Sequence, residues 1–112
     1  MSTPIITLTT DWHKNDFYTG ALKGRILTQF REARIIDITH QIKSFNLSEA
    51  AFIIRNTYSH FPENTIHIIA VRSELVENNS HLVVKKDGHH FIGADNGIFS
   101  LIFQENPDKI VQ

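Results

Sequence analysis

Apolar and polar positions along this chain divide it into short segments of changing period. Pro4-Ile5-Ile6-Thr7-Leu8-Thr9 is apolar and β-branched without alternation, which predicts a buried strand ending at Thr10-Asp11. Phe17, Ala21, Gly24 and Leu27, with Tyr18, Leu22 and Ile26 alongside, recur at helical spacing, so a helix capped by Asp16 is expected through about Phe30. Arg34-Ile35-Ile36-Asp37-Ile38 predicts a second strand. Asn46 followed by Glu49 forms a variant capping box ahead of Ala50, Ala51, Ile53 and Ile54, in a helix that should stop near His60-Phe61-Pro62. Thr65 to Val71 predicts a third strand.

The alternation of strand and helix implies right-handed crossovers, a parallel sheet and helices on both faces. From Ser80 the pattern changes. His81-Leu82-Val83-Val84 and His90-Phe91-Ile92 flank Lys86-Asp87-Gly88, which reads as a hairpin around an Asp-Gly turn. Ile98, Leu101 and Ile102 then predict one or two helical turns, and Lys109-Ile110-Val111 an extended segment. The fold class is therefore α/β: a three-layer domain with a mostly parallel sheet and a C-terminal hairpin. Residues 1–112 are expected to form a single domain, and the start of a strand at the end of the chain suggests truncation of a longer protein.

Composition narrows the functional classes. With 41% hydrophobic and 21% charged residues the chain is an ordinary globular one, of a length that buries roughly two-thirds of its unfolded surface. Eleven Lys and Arg against twelve Asp and Glu give a net charge of −1, which cannot supply a basic surface for nucleic acid. The apolar run Ile66 to Val71 is too short to span a bilayer and Met1 to Pro4 does not resemble a signal peptide, so a cytoplasmic protein is expected. The absence of Cys excludes disulfides and thiolate metal sites. Seven His invite a metal, but none has ligand spacing, and adjacent His89 and His90 should point to opposite faces of a strand. No metal site and no cofactor are expected.

Ligands of open α/β sheets gather beyond the carboxyl ends of the strands, which directs attention to Asp11, to Asp37 through His40, and to Arg72 through Glu77. A carboxylate directly after a buried first strand can accept two hydrogen bonds from a ribose diol; it can equally be a capping or loop Asp. Asp16 reads first as a helix cap. Trp12, Phe17, Tyr18 and Phe45 flank the same edge and could stack on a purine or wall off a sulfonium, or belong to the core. Gly20 and Gly24 lie within a helix rather than a phosphate loop, where small residues would let the helix pack closely on the sheet.

Ile5 to Asp11, Ala21 to Gly24, Ile36-Asp37-Ile38-Thr39-His40, Ala50-Ala51, Phe61-Pro62, Thr65-Ile66-His67 and Gly93-Ala94-Asp95-Asn96-Gly97-Ile98 together resemble one family. It is the S-adenosylmethionine hydroxide adenosyltransferase family, which also contains the S-adenosylmethionine-dependent fluorinases and chlorinases. The resemblance implies an N-terminal α/β domain whose C-terminal β-barrel-like partner domain is absent here. It implies a homotrimer in the full-length form, with sites between one subunit's N-domain and its neighbour's C-domain. S-adenosylmethionine would be the substrate, cleaved by water to adenosine and L-methionine.

By position, Asp11 resembles the acid that grips the ribose diol, Asp16 a second acid near the methionine end, and Phe45 an aromatic lining the site. One stretch departs from the pattern. Where hydrolases of the family carry Asp-Pro-Gly-Val-Gly, this chain reads Val71-Arg72-Ser73-Glu74-Leu75, with Arg72 at the position of the catalytic acid. No catalytic residue is assigned, and the chain alone is expected to be inactive. The rival expectations are a non-catalytic module that binds adenosine or S-adenosylmethionine or assembles a trimer and, behind it, an S-adenosylmethionine-dependent halogenase.

Overall fold

A computed structural model describes residues 3–13, 16–43, 46–71, 81–103 and 109–111. The strands are β1 (Ile5–Thr10), β2 (Arg34–Thr39), β3 (Ile66–Ala70), β4 (His81–Lys86), β5 (His89–Ala94) and β6 (Lys109–Val111). The helices are α1 (Asp16–Gln29), α2 (Leu47–Thr57) and α3 (Ile98–Ile102). Every element expected from the periodicity is present. They build one six-stranded sheet in the order β2-β1-β3-β5-β4-β6.

β1 pairs in parallel with both β2 and β3, and β3 with β5, while β4 runs antiparallel to β5 and β6 antiparallel to β4. The first connection therefore leads outward to β2 and the second returns across β1 to β3. This reversal makes the gap between β1 and β3 the switch point of the sheet. Thr7 lies opposite His67 and Leu8 opposite Asp37, so Thr7, His67 and Phe91 share one face and Leu8 and Asp37 the other. α2 and α3 cover the first face, where Ala50, Ala51, Ile54, Ile69, Val84, Phe91 and Ile102 form the core. Gly93 admits α3 there, because a Cβ would come within 3.2 Å of the Phe99 ring and 3.3 Å of the Ile69 carbonyl. α1 covers the second face, tied to it by Lys23 and Asp37.

Coverage of the two faces is unequal. Ile6 and Leu8 are buried, yet Ile66, Ile68, Ala70, Ile92 and Ala94 on α1's side of the sheet are only half-buried. The one described helix on that side joins β1 to β2, at one end of the sheet. On α1, Thr19, Leu22, Lys23 and Ile26 are the half-buried positions, whereas Phe17, Ala21, Gly24 and Leu27 face outward. Gly20 and Gly24 also correct an expectation: among the described residues a Cβ at either would meet nothing within 4 Å, so they do not serve close packing on the sheet.

Local signals behave as their chemistry requires. The Asn46 side chain accepts from the Glu49 N–H at 2.9 Å, the first half of a capping box; the Glu49 carboxylate instead accepts from the Lys43 N–H. α2 tightens into a 3-10 turn at Tyr58–His60 and ends as Phe61 becomes extended before Pro62. Asp87 and Gly88 both have positive φ, 53° and 80°, as a two-residue hairpin turn of the primed type demands. That turn is anchored from outside, since Tyr58 donates to the Asp87 carboxylate and the Asn64 N–H to the Gly88 carbonyl.

Candidate functional site

The carboxyl ends of β1, β3 and β5 meet at one edge. Asp11 follows β1 directly and is 8% exposed, with its N–H donating to the Ala70 carbonyl at the end of β3. Asn96, also 8% exposed, closes the neighbouring gap: its side-chain amide donates to the Val71 carbonyl at 3.1 Å and its oxygen accepts from the Ile98 N–H. One residue thus ties the end of β3 to the start of α3. This role was hidden in the Asp95-Asn96-Gly97 run, which at the level of sequence reads as a turn.

The loops after β1 and β2 are zipped together. The His13 N–H donates to the His40 carbonyl at 2.7 Å, the Ile42 N–H to the Thr10 carbonyl, and the His13 ring bonds the Ile42 carbonyl at 2.8 Å. His13 adopts a positive φ of 55°, a conformation uncommon for a residue with a side chain of this size. Beneath this zipper, Thr10 Oγ1 lies 2.6 Å from His40 Nδ1, and His40 Nε2 lies 2.8 Å from Asp37. Lys23 reaches the other Asp37 oxygen at 2.8 Å. Partial burial pushes the Asp37 carboxyl up, but hydrogen bonds and charge from Lys23 and His40 outweigh it and hold the group below the usual carboxylate value.

Aromatic rings flank the same edge. Trp12 and Tyr18 have ring centroids 6.0 Å apart, and Tyr18 and Phe17 4.5 Å. Phe17 is 73% and Tyr18 51% exposed, so neither belongs to the core. The structure therefore brings Asp11, Trp12, Tyr18 and Phe17 to one end of the sheet. α1 starts at Asp16, near that end, but the Asp16 side chain, Phe45 and Arg72 lie outside the described residues. A cleft of about 470 Å³ lined by Gly24, Leu27, Thr28 and Arg31 sits at the far end of α1, away from this edge.

His89 and His90 do point to opposite faces: His89 is buried against His67, while His90 is half-buried on the other side. Among the described residues no group of three or more His, Asp or Glu could hold a metal ion. Nor is any described helix long and apolar enough to cross a membrane.

The strand order and the helices on both faces make this a doubly wound α/β domain. Within that class the assignment is specific. Residues 6–112 match the SAM hydroxide adenosyltransferase N-terminal domain, and the chain belongs to that family. It is 36% identical over 106 residues to the (R)-S-adenosyl-L-methionine hydrolase of Methanocaldococcus jannaschii, covering 90% of this chain and 40% of that protein. It is 26% identical over 97 residues to the enzyme of the same name from Salinispora arenicola, covering 87% and 37%. A crystal structure of an uncharacterized conserved protein from Thermotoga maritima superposes with a TM-score of 0.84 at 30% identity, over 95% of this chain and 41% of the other. A conserved hypothetical protein from Thermus thermophilus, 20% identical, shares the fold with a TM-score of 0.80, over 97% of this chain and 46% of the other. The chain spans about two-fifths of the length of the curated relatives it matches.

Proposed function

We propose that this chain is the adenosine-binding half of an S-adenosylmethionine hydrolase, with Asp11 as the acid that grips the ribose diol. The observation that carries this reading is the burial of Asp11 at the carboxyl end of β1, at the switch point of the sheet. The neighbouring rings of Trp12, Tyr18 and Phe17 would supply the apolar surface for a purine or a sulfonium. Asp16 would extend the site toward the methionine end, and Phe45 would add an aromatic to its lining. The reaction is in-line attack of water on C5′, in which a C–O bond forms as the C–S bond breaks. Methionine leaves as a neutral thioether, adenosine forms, and the proton of the attacking water passes to solvent or a base. S-adenosylmethionine is the substrate and no further cofactor enters this scheme. The complete site would be shared between subunits of a trimer in a cytoplasmic protein.

A second reading, binding without turnover, is favoured by one feature of the sequence. Arg72 occupies the position of the family's catalytic acid, and a positioned base contributes about a hundred- to ten-thousand-fold to such a reaction. The chain alone is therefore expected to bind adenosine and to release none from S-adenosylmethionine. Halogenation at the same carbon is the third reading.

Calorimetry tests the binding claim. A hydrogen bond to a charged group contributes about 1.5 to 3 kcal/mol, so Asp11→Ala should weaken adenosine binding roughly ten- to a hundred-fold. Wild type and Asp11→Ala should bind 2′,3′-dideoxyadenosine equally, because that ligand has no diol. Equal losses for both ligands would remove Asp11 from the site.

A further inference from the structure

The hydrogen bonds under the β1 loop form one chain, with His40 between Asp37 and Thr10. The ionised Asp37 can only accept, so His40 Nε2 carries a proton toward it, and in the Nε2–H tautomer Nδ1 offers a lone pair. Thr10, fully buried, then donates its hydroxyl proton to Nδ1, which holds its oxygen in place to accept from the Trp12 N–H at 3.2 Å. The Asp11 N–H is held on its other side by the Ala70 carbonyl. Both peptide N–H groups that bracket the Asp11 side chain are thereby fixed, one by β3 and one through His40.

We propose that His40 is a positioning residue that sets Asp11 for its ligand through Thr10. It touches no ligand itself. Its effect is to remove the rotational freedom of the Asp11-Trp12 peptide, so that the carboxylate meets a diol without first being ordered. The ligand part of this inference rests on the adenosine reading given above; the hydrogen-bond part does not.

The test uses the 112-residue chain with adenosine and 2′,3′-dideoxyadenosine as probes, together with hydrogen exchange at the Trp12 amide. His40→Ala and Thr10→Val should each weaken adenosine about tenfold and leave the dideoxy compound unchanged. The double variant should be no weaker than either single one, since both break one chain of bonds. His40→Asn, whose amide oxygen lies close to the place of Nδ1, should recover most of the affinity, and His40→Gln should not. The Trp12 amide should exchange at least about tenfold faster in His40→Ala and at the wild-type rate in His40→Asn. A lower Tm with adenosine affinity intact, or equal losses for the two ligands, would overturn the proposal. Should wild type bind no adenosine at all, the functional reading fails, and an unchanged Trp12 exchange rate in His40→Ala would then overturn the positioning role independently.

Discussion

Inside the sheet, at the end away from the proposed site, His67 lies 1% exposed between Thr7 and His89, with contacts of 2.7 Å and 3.2 Å. It stacks on Phe91, and Tyr58 meets it edge-on. Burial first, and the neighbouring His89 second, push its pKa down from 6.5 to about 4. His89 is also lowered, by burial and by His90, although Asp87 and Glu63 pull the other way. A His whose folded pKa lies below its unfolded value binds its proton more readily when unfolded. Stability is therefore full above pH 6.5, falls as the pH drops from there toward 4, and is unaffected by this group below that. From His67 alone the loss between about pH 7.5 and pH 5 should be about 2 kcal/mol, read from urea midpoints. His67→Gln, which retains hydrogen-bonding capacity toward Thr7, should remove most of this slope. An undiminished slope would place the titrating group elsewhere. The same burial acts in the opposite direction on Tyr58, an acid, where burial and then the bonded Asp87 raise the phenol to about 12.

Helix α1 is the element least committed to the domain. Its outward face carries Phe17, Tyr18 and Leu27 beside Gly20 and Gly24, and neither glycine has a packing reason to be small. Gly in an exposed helix interior costs about 0.5 to 1 kcal/mol relative to Ala, so Gly20→Ala and Gly24→Ala should each stabilise the chain by about that amount. The urea midpoint should rise with an unchanged slope. A fall would show that something in the assembled protein occupies this face. Periodicity revealed that α1 is a helix but did not single out its inward side, because the helix carries apolar residues on more than one face. The α2 cap was legible because Asn46 and Glu49 form a local bond, which sequence spacing encodes directly. Its second half was not, since Glu49 finds Lys43 rather than Asn46.

At the scale of the whole molecule, the order β2-β1-β3 follows from two crossovers of one hand, and so the position of Asp11 was legible in the alternation of elements. The relay of Thr10, His40 and Asp37 was not, because it joins three residues through a strand pairing and not through spacing. Nor does a hairpin motif say which of its strands docks inward. Burial explains the outcome: β5 alternates between buried and half-buried positions, whereas β4 turns His81, Val83 and Lys85 to solvent and suits a place nearer the edge. β5 consequently reaches β3 only after the chain has passed outward through β4 and come back. The Asp87-Gly88 turn thus bears on how fast the domain assembles as well as on its final geometry. Hairpins close in about 1 to 10 μs, well ahead of distant strand pairings, so a preformed β4-β5 ribbon docking as a unit is the economical route to the sheet. At Gly88 a Cβ would face both the positive φ and the Glu63 side chain at 3.2 Å. Gly88→Ala should therefore slow refolding roughly tenfold in stopped-flow experiments while scarcely changing the unfolding rate. If the whole effect fell on unfolding instead, β5 would be joining the sheet before its turn had closed.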